Sequence, residues 1–129
     1  MAYLLDTCVA IWMFEGSPRI PLPVRDRLTD LGETLYLSDV SILEIVIKHQ
    51  LGKFPLAQPP SRVLLPLARK HLLEILPLCS AAIFELEKLP DLHRDPFDRL
   101  LVAQSRLHRL TLVTPDPLIH QYGGSHLWG

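Results

Sequence analysis

Five carboxylates, Asp6, Glu44, Asp95, Asp98 and Asp116, stand where apolar runs stop or where helices are set to begin. In an open parallel sheet the carboxyl ends of the strands face one crevice, so acids at such positions converge even when the chain separates them widely. Carboxylates sharing a site resist joint ionisation unless bound cations offset their repulsion. The chemistry this pattern points to is metal-assisted phosphodiester cleavage. Mg²⁺ prefers octahedral oxygen coordination at about 2.0–2.1 Å and keeps several waters beside one or two carboxylates. One ion would hold the scissile phosphate and activate a water; the pattern leaves open whether a second, about 3.5–4 Å away, stabilises the departing oxygen.

The elements that must position these acids are legible from periodicity. Tyr3-Leu4-Leu5 is a short apolar run ending at Asp6, and Val9, Ile11, Trp12 and Phe14 continue with helical spacing to Gly16. Ser17 to Pro23, with three prolines, reads as a loop; Val24 to Leu31 reads as a helix stopped by Gly32, and Thr34 to Leu37 as a strand. Ser38 is a candidate cap for a helix carrying Ile42, Ile45, Val46 and Leu51 and closed by Gly52. A proline-rich connection over Phe54 to Pro60 leads to a helical segment from Ser61 to His71 that Pro66 should kink or shorten. Leu73 to Leu78 reads as strand, Ser80 to Leu89 as helix and Pro90 to Arg94 as loop. Asp95-Pro96 opens a helix reaching about Arg109, and Thr111 to Thr114 is a strand stopped by Pro115-Asp116-Pro117. Strands alternating with helices of this size predict right-handed βαβ units and a parallel sheet covered on both faces.

Each acid also has a bland role. Asp6 alone is best read as a cap for the helix beginning near Thr7. Glu44 suits a capping box after Ser41 or an ion pair with Lys48, each worth only tenths of a kcal/mol, yet its neighbours Ile42, Leu43, Ile45, Val46 and Ile47 threaten it with burial. Asp95 is an apt N-cap, and Asp98 three positions later satisfies both a capping box and the helix dipole, which would also help to keep it ionised. Asp116 between two prolines reads as a turn residue. The set, rather than any member, carries the inference.

Composition narrows the classes. A chain of 129 residues suits one domain, and 13 Lys+Arg against 14 Asp+Glu leaves a net charge of -1, without the basic footprint of a bulk nucleic-acid binder. A 48% hydrophobic share argues against disorder, and no apolar stretch approaches membrane-spanning length. The amino terminus meets Asp6 too early to form a signal peptide, so a soluble cytoplasmic protein is expected. Cys8 and Cys79 form neither a CxxC pair nor a disulfide framework and are assigned to packing. Six histidines include no HExxH or zinc-finger spacing; His93 lies nearest the candidate site, where a solvated loop histidine competes with a substrate contact. Trp12 and Phe14 read as core or subunit contact, and Gly123-Gly124 as a turn.

Leu4-Leu5-Asp6-Thr7, Ser41-Ile42-Leu43-Glu44, the run His93-Arg94-Asp95-Pro96-Phe97-Asp98-Arg99-Leu100-Leu101-Val102-Ala103-Gln104, and Thr114-Pro115-Asp116 together resemble a PIN-domain ribonuclease, and more narrowly the VapC-type toxins of bacterial type II toxin-antitoxin pairs. The resemblance covers the chain from Tyr3 to Leu127-Trp128 and rests on the order of the motifs. It implies a single PIN-like α/β domain over residues 1–129, three-layered, with a central, mostly parallel sheet of four to five strands and helices on both faces. It further implies a Mg²⁺- or Mn²⁺-dependent endoribonuclease whose metal-binding and catalytic quartet is Asp6, Glu44, Asp98 and Asp116, with Asp95 either a fifth ligand or the cap of its helix. Thr7 and Thr114 would correspond to the family's hydroxyl positions, supporting the carboxylates or a coordinated water. Lys48, Arg94 and Arg99 are the candidate phosphate contacts, against the plainer reading of exposed ion pairs. A small antitoxin covering the groove and a homodimer formed through helices of the amino-terminal half are the implied partners.

Two other classes compete. A PIN-like RNA-processing nuclease outside a toxin system would use the same residues. A non-catalytic receiver-like signalling module also places acids at strand ends, but it calls for paired acids after the first strand and a lysine at the last, where this chain has Asp6-Thr7-Cys8 and Thr114-Pro115-Asp116. A haloacid-dehalogenase-like phosphatase needs Asp-x-Asp, and position 8 is Cys.

Overall fold

The structure is a computed structural model describing residues 1–129. Five strands, β1 (Ala2–Leu5), β2 (Thr34–Ser38), β3 (Leu73–Leu76), β4 (Thr111–Val113) and β5 (His126–Leu127), pair in the order β3-β2-β1-β4-β5. Every pairing is parallel, and Leu4 lies opposite Tyr36 on one side and Leu112 on the other. The helices are α1 (Thr7–Glu15), α2 (Leu22–Leu28), α3 (Asp39–Gln50), α4 (Pro60–Lys70), α5 (Ser80–Glu85), α6 (Pro96–Leu107) and α7 (Pro117–His120), with a 3₁₀ turn at Leu86–Lys88.

Alternation along β1 divides the core in two. Tyr3 and Leu5 pack with Val9 and Ala10 of α1, Val24 and Leu28 of α2 and Ala68 of α4. Leu4 faces the other layer, with Leu101, Val102 and Ala103 of α6, Val40 of α3 and Ile119 of α7. Both faces of the sheet are thus covered, as parallel sheets require, which explains the continuous apolar runs of its strands. Leu112 is fully buried in the second layer, so Leu112→Ala should destabilise the protein by about 2–5 kcal/mol in denaturant titrations. A midpoint indistinguishable from that of the parent would show that this layer is not tightly packed.

Local chemistry sets the boundaries. α1 ends at Gly16, whose φ of 63° lets its N–H reach Met13 and lets Ser17 reach Trp12. Ser38 caps α3, accepting from Val40 N–H at 2.9 Å, and Gly52 follows that helix with φ of 70°. Ser38 also donates to Gln104 of α6, whose amide in turn donates to the Pro77 carbonyl at 3.3 Å. This buried pair ties α3 to α6, the helices that bear Glu44 and Asp98.

Several expectations shift. The second helix starts at Leu22 and stops at Leu28, because Pro23 is accommodated in a first turn that lacks N–H partners anyway. Pro66 does not shorten its helix: α4 runs from Pro60 to Lys70 with Pro66 inside, one backbone bond lost while Leu64 and Ala68 stay buried on the core side. The third strand ends at Leu76, and the segment read as one helix from Ser80 to Leu89 divides at Leu86 into α5 and the 3₁₀ turn. Neither α7 nor β5 is apparent from periodicity, since a four-residue helix and a two-residue strand are shorter than either period can register. Cys79 is exposed rather than packed. No helix is long and apolar enough to cross a membrane.

Candidate metal centre at the carboxyl end of the sheet

Strand order reverses around β1, which continues outward to β2 on one side and has β4 on the other. Ligand crevices of doubly wound sheets open at such a switch point. A cleft of about 370 Å³ lies there, bordered by Asp6, Glu44, Asp95, Asp98 and Asp116 together with Thr7, Cys8, Lys48, Lys53 and Phe54. All five acids singled out in the sequence therefore line one cavity.

Asp6 directly follows β1 and is only 6% exposed. It occupies the N-cap position of α1, yet its side chain makes no capping bond; its Oδ2 accepts from the Thr114 hydroxyl at 2.6 Å. Burial raises its pKa above the usual carboxylate value, the Thr114 bond opposes that rise, and the charges of Glu44 and Asp116 add to it. Thr114 also accepts from the backbone N–H of Asp116 at 3.1 Å, so one hydroxyl sets both acids. Thr7 turns elsewhere, donating to the Ser41 hydroxyl at 2.8 Å and fastening α1 to α3.

Glu44 is 5% exposed in the interior of α3. Its Oε2 receives the Lys48 ammonium at 2.6 Å, the i,i+4 pair expected from the sequence, and that bond raises the Lys48 pKa. Its Oε1 is buried with no hydrogen-bond partner. Leaving such an acceptor unmet costs about 1–3 kcal/mol, more for a charged group.

Asp95 caps α6, its Oδ1 accepting from Phe97 N–H at 2.8 Å and more weakly from Asp98 N–H at 3.4 Å. Asp98 sits one turn in, and its carboxyl pKa is pushed up to about 7 by burial and by the charges of Asp6 and Asp95. Asp116 caps α7 through Leu118 N–H at 2.8 Å. His93 joins the last two: its Nε2 lies 3.0 Å from Asp98 Oδ2 and 3.0 Å from Asp116 Oδ2.

The basic candidates divide. Lys48 borders the cleft, whereas Arg94 is exposed and Arg99 turns away, donating to the Pro90 and Leu86 carbonyls at 3.3 Å each. Lys53, unremarked in the sequence, also lines the cleft and has no ion-pair partner; its only signal there was its place just after the capping Gly52. Cys8 borders the site as well, but burial and the Asp6 charge push its thiol up to about 12, so it is no nucleophile at neutral pH.

The donor chemistry fits a hard divalent cation. The cleft offers carboxylate oxygens, two of its acids resist ionisation when no cation is near, and Glu44 Oε1 lacks any partner within the protein. Asp6, Glu44 and Asp98, with Asp116, are the residues that could hold it. His93, Asp98 and Asp116 also present ligand atoms all within 4.8 Å of one another.

Fold and crevice together define a doubly wound α/β protein with a carboxylate cluster at its switch point. The PIN domain family model matches residues 3–124, and the chain belongs to that family. Membership makes it a nuclease-family protein, of the class of hydrolases acting on nucleic acids. Among solved structures it is similar to VapBC2 from Rickettsia felis bound to a DNA fragment from the promoter, with a TM-score of 0.75 and 18% identity over 100% of both chains. It is also similar to a toxin-antitoxin complex from Klebsiella pneumoniae, with a TM-score of 0.58 and 18% identity over 88% of this chain and 86% of the other. The PIN domain endonuclease Utp24 aligns with a TM-score of 0.53 and 16% identity, over 99% of this chain and 86% of that one. Comparison with curated proteins gave no match. The PIN resemblance read from the motifs is borne out.

Proposed function

We propose that residues 1–129 form one PIN-like nuclease domain acting as a Mg²⁺- or Mn²⁺-dependent endoribonuclease, the toxin of a type II toxin-antitoxin pair. The observation that carries the metal reading is Glu44 Oε1, a buried, unpartnered oxygen beside two acids whose ionisation is suppressed. The likeness to VapBC complexes supports the toxin assignment and a small antitoxin as partner. A homodimer accompanies that reading.

When bound, the cation would supply charge neutralisation for the scissile phosphate and a more acidic water. The chain's own residues do the rest. Asp6, Glu44 and Asp98 supply the principal oxygens and Asp116 completes the set, while Asp95 fixes the start of α6 and so the direction of Asp98. Thr114 keeps Asp6 oriented. Lys48 draws one Glu44 oxygen aside and leaves the other for the cation, and Lys53 is the free ammonium best sited to meet phosphate.

Purified protein should cut structured RNA with Mg²⁺ or Mn²⁺ and stop when a chelator is added. Cleavage that continues in chelator would overturn the metal mechanism. In cells, induction should arrest growth, relieved by the small reading frame expected beside the gene; harmless expression of an active nuclease would assign RNA processing instead.

A further inference from the structure

His93 lies in the loop before α6, and its ring is fixed from both ends. The backbone N–H of Asp95 donates to Nδ1 at 3.1 Å, so Nδ1 presents its lone pair and the ring proton resides on Nε2. That single N–H faces Asp98 Oδ2 and Asp116 Oδ2, each 3.0 Å away. Asp98 belongs to α6, whereas Asp116 belongs to the turn between β4 and α7. The other bonds of Asp116 run to Leu118 N–H and from its own N–H to Thr114, all within its own segment. His93 is therefore the sole hydrogen-bonded link between the Asp116 carboxylate and the helix that carries Asp98.

We propose that His93 is a positioning residue for cation binding: an imidazole anchored at the start of α6 whose Nε2–H holds the Asp116 carboxylate beside that of Asp98. The inference rests on the metal-binding reading of this cleft. An acid on a helix and one on a separate turn would otherwise splay under their mutual repulsion, and a cation would have to gather them at the cost of ordering that turn. The Asp95 bond makes the clamp part of the α6 start, so ring and Asp98 move together while Asp116 is held to them. Groups that orient metal-binding side chains typically contribute about 10–100-fold to metal affinity.

The test is Mn²⁺ binding by the full chain, followed by titration calorimetry and by the loss of the free-ion electron paramagnetic resonance signal. His93→Leu removes the N–H and should weaken Mn²⁺ binding by about 10–100-fold. His93→Gln keeps a side-chain N–H and should recover most of that loss. Pulsed resonance spectra of the wild-type Mn²⁺ complex should show no coupling to a histidine nitrogen. Unchanged or tighter binding by His93→Leu overturns the proposal, as does an equal loss in both variants. Nitrogen coupling that vanishes in His93→Gln also overturns it, making the ring a ligand. If His93→Leu fails to fold, His93→Gln and the spectra decide. RNA cleavage plays no part in these readouts: a protein that binds Mn²⁺ in this His93-dependent way and cuts no RNA refutes the nuclease reading while the positioning role stands.

Discussion

On the proposed function, Asp6→Asn should lower RNA cleavage by more than about 100-fold, beyond the usual loss from perturbing a group that merely orients a metal ligand. The substitution is nearly isosteric, and its amide oxygen can still accept from the Thr114 hydroxyl that now bonds Asp6 at 2.6 Å. What disappears is a negative charge, in a residue 6% exposed whose ionisation burial already opposes. Without a cation the variant should therefore melt above the parent, while the rise in melting temperature on adding Mg²⁺ or Mn²⁺ should shrink. Single-turnover cleavage and paired melts with and without cation test both halves. Wild-type cleavage by this variant would remove Asp6 from the metal set, whatever the melts show.

The second large effect is on stability. With no cation bound, the protein should lose stability as pH rises between about 4 and about 7, and Asp98 should be a principal cause. Its carboxyl titrates at 3.8 in the unfolded chain and at about 7 in the fold, so within that window the native state keeps a proton the unfolded chain has released. The proton excess lies on the folded side, and the unfolding free energy falls with pH. The stabilisation is whole below the lower value and gone above the upper. Asp6, Asp95 and Glu44 face the group with the same charge and raise its pKa, and the His93 N–H directed at it works the other way. At about 1.36 kcal/mol per pH unit the contribution of Asp98 reaches at most about 4 kcal/mol. Urea unfolding of metal-free protein across the window should give a falling line for the parent and a flatter one for Asp98→Asn. Saturating Mg²⁺ should flatten the parent too, since a cation favours the ionised cluster. Parallel lines for parent and variant would show that Asp98 ionises normally.

What was legible in the sequence is what short-range physics controls. The stop of β1 at Asp6, the Ser38 cap, the Asp95-Pro96 helix start and the gathering of five acids follow from alternation, capping and the topology of parallel sheets. What escaped depends on where separate segments meet. His93 sits beside the most informative motif, yet nothing local reveals that its ring faces Asp116, 23 positions away. Arg99 neighbours Asp98 in sequence, but helical rotation carries its guanidinium to Pro90 and Leu86. The bland readings of Asp95 as a cap and Glu44 as the partner of Lys48 also hold, while Asp116, read alone as a turn residue, caps a short helix instead; the cluster is built on top of those local roles. Asp6 is the exception, a capping position whose side chain is committed elsewhere.

The bond from Thr114 to Asp6 closes a span of 108 residues, and β1 pairs with β4 across the same separation. A chain still emerging from the ribosome therefore holds Asp6, Glu44 and Asp98 before it holds Thr114 and Asp116. The acid cluster is complete only when β4 seats beside β1, so its assembly waits on contacts of high sequence separation, which are slow to form.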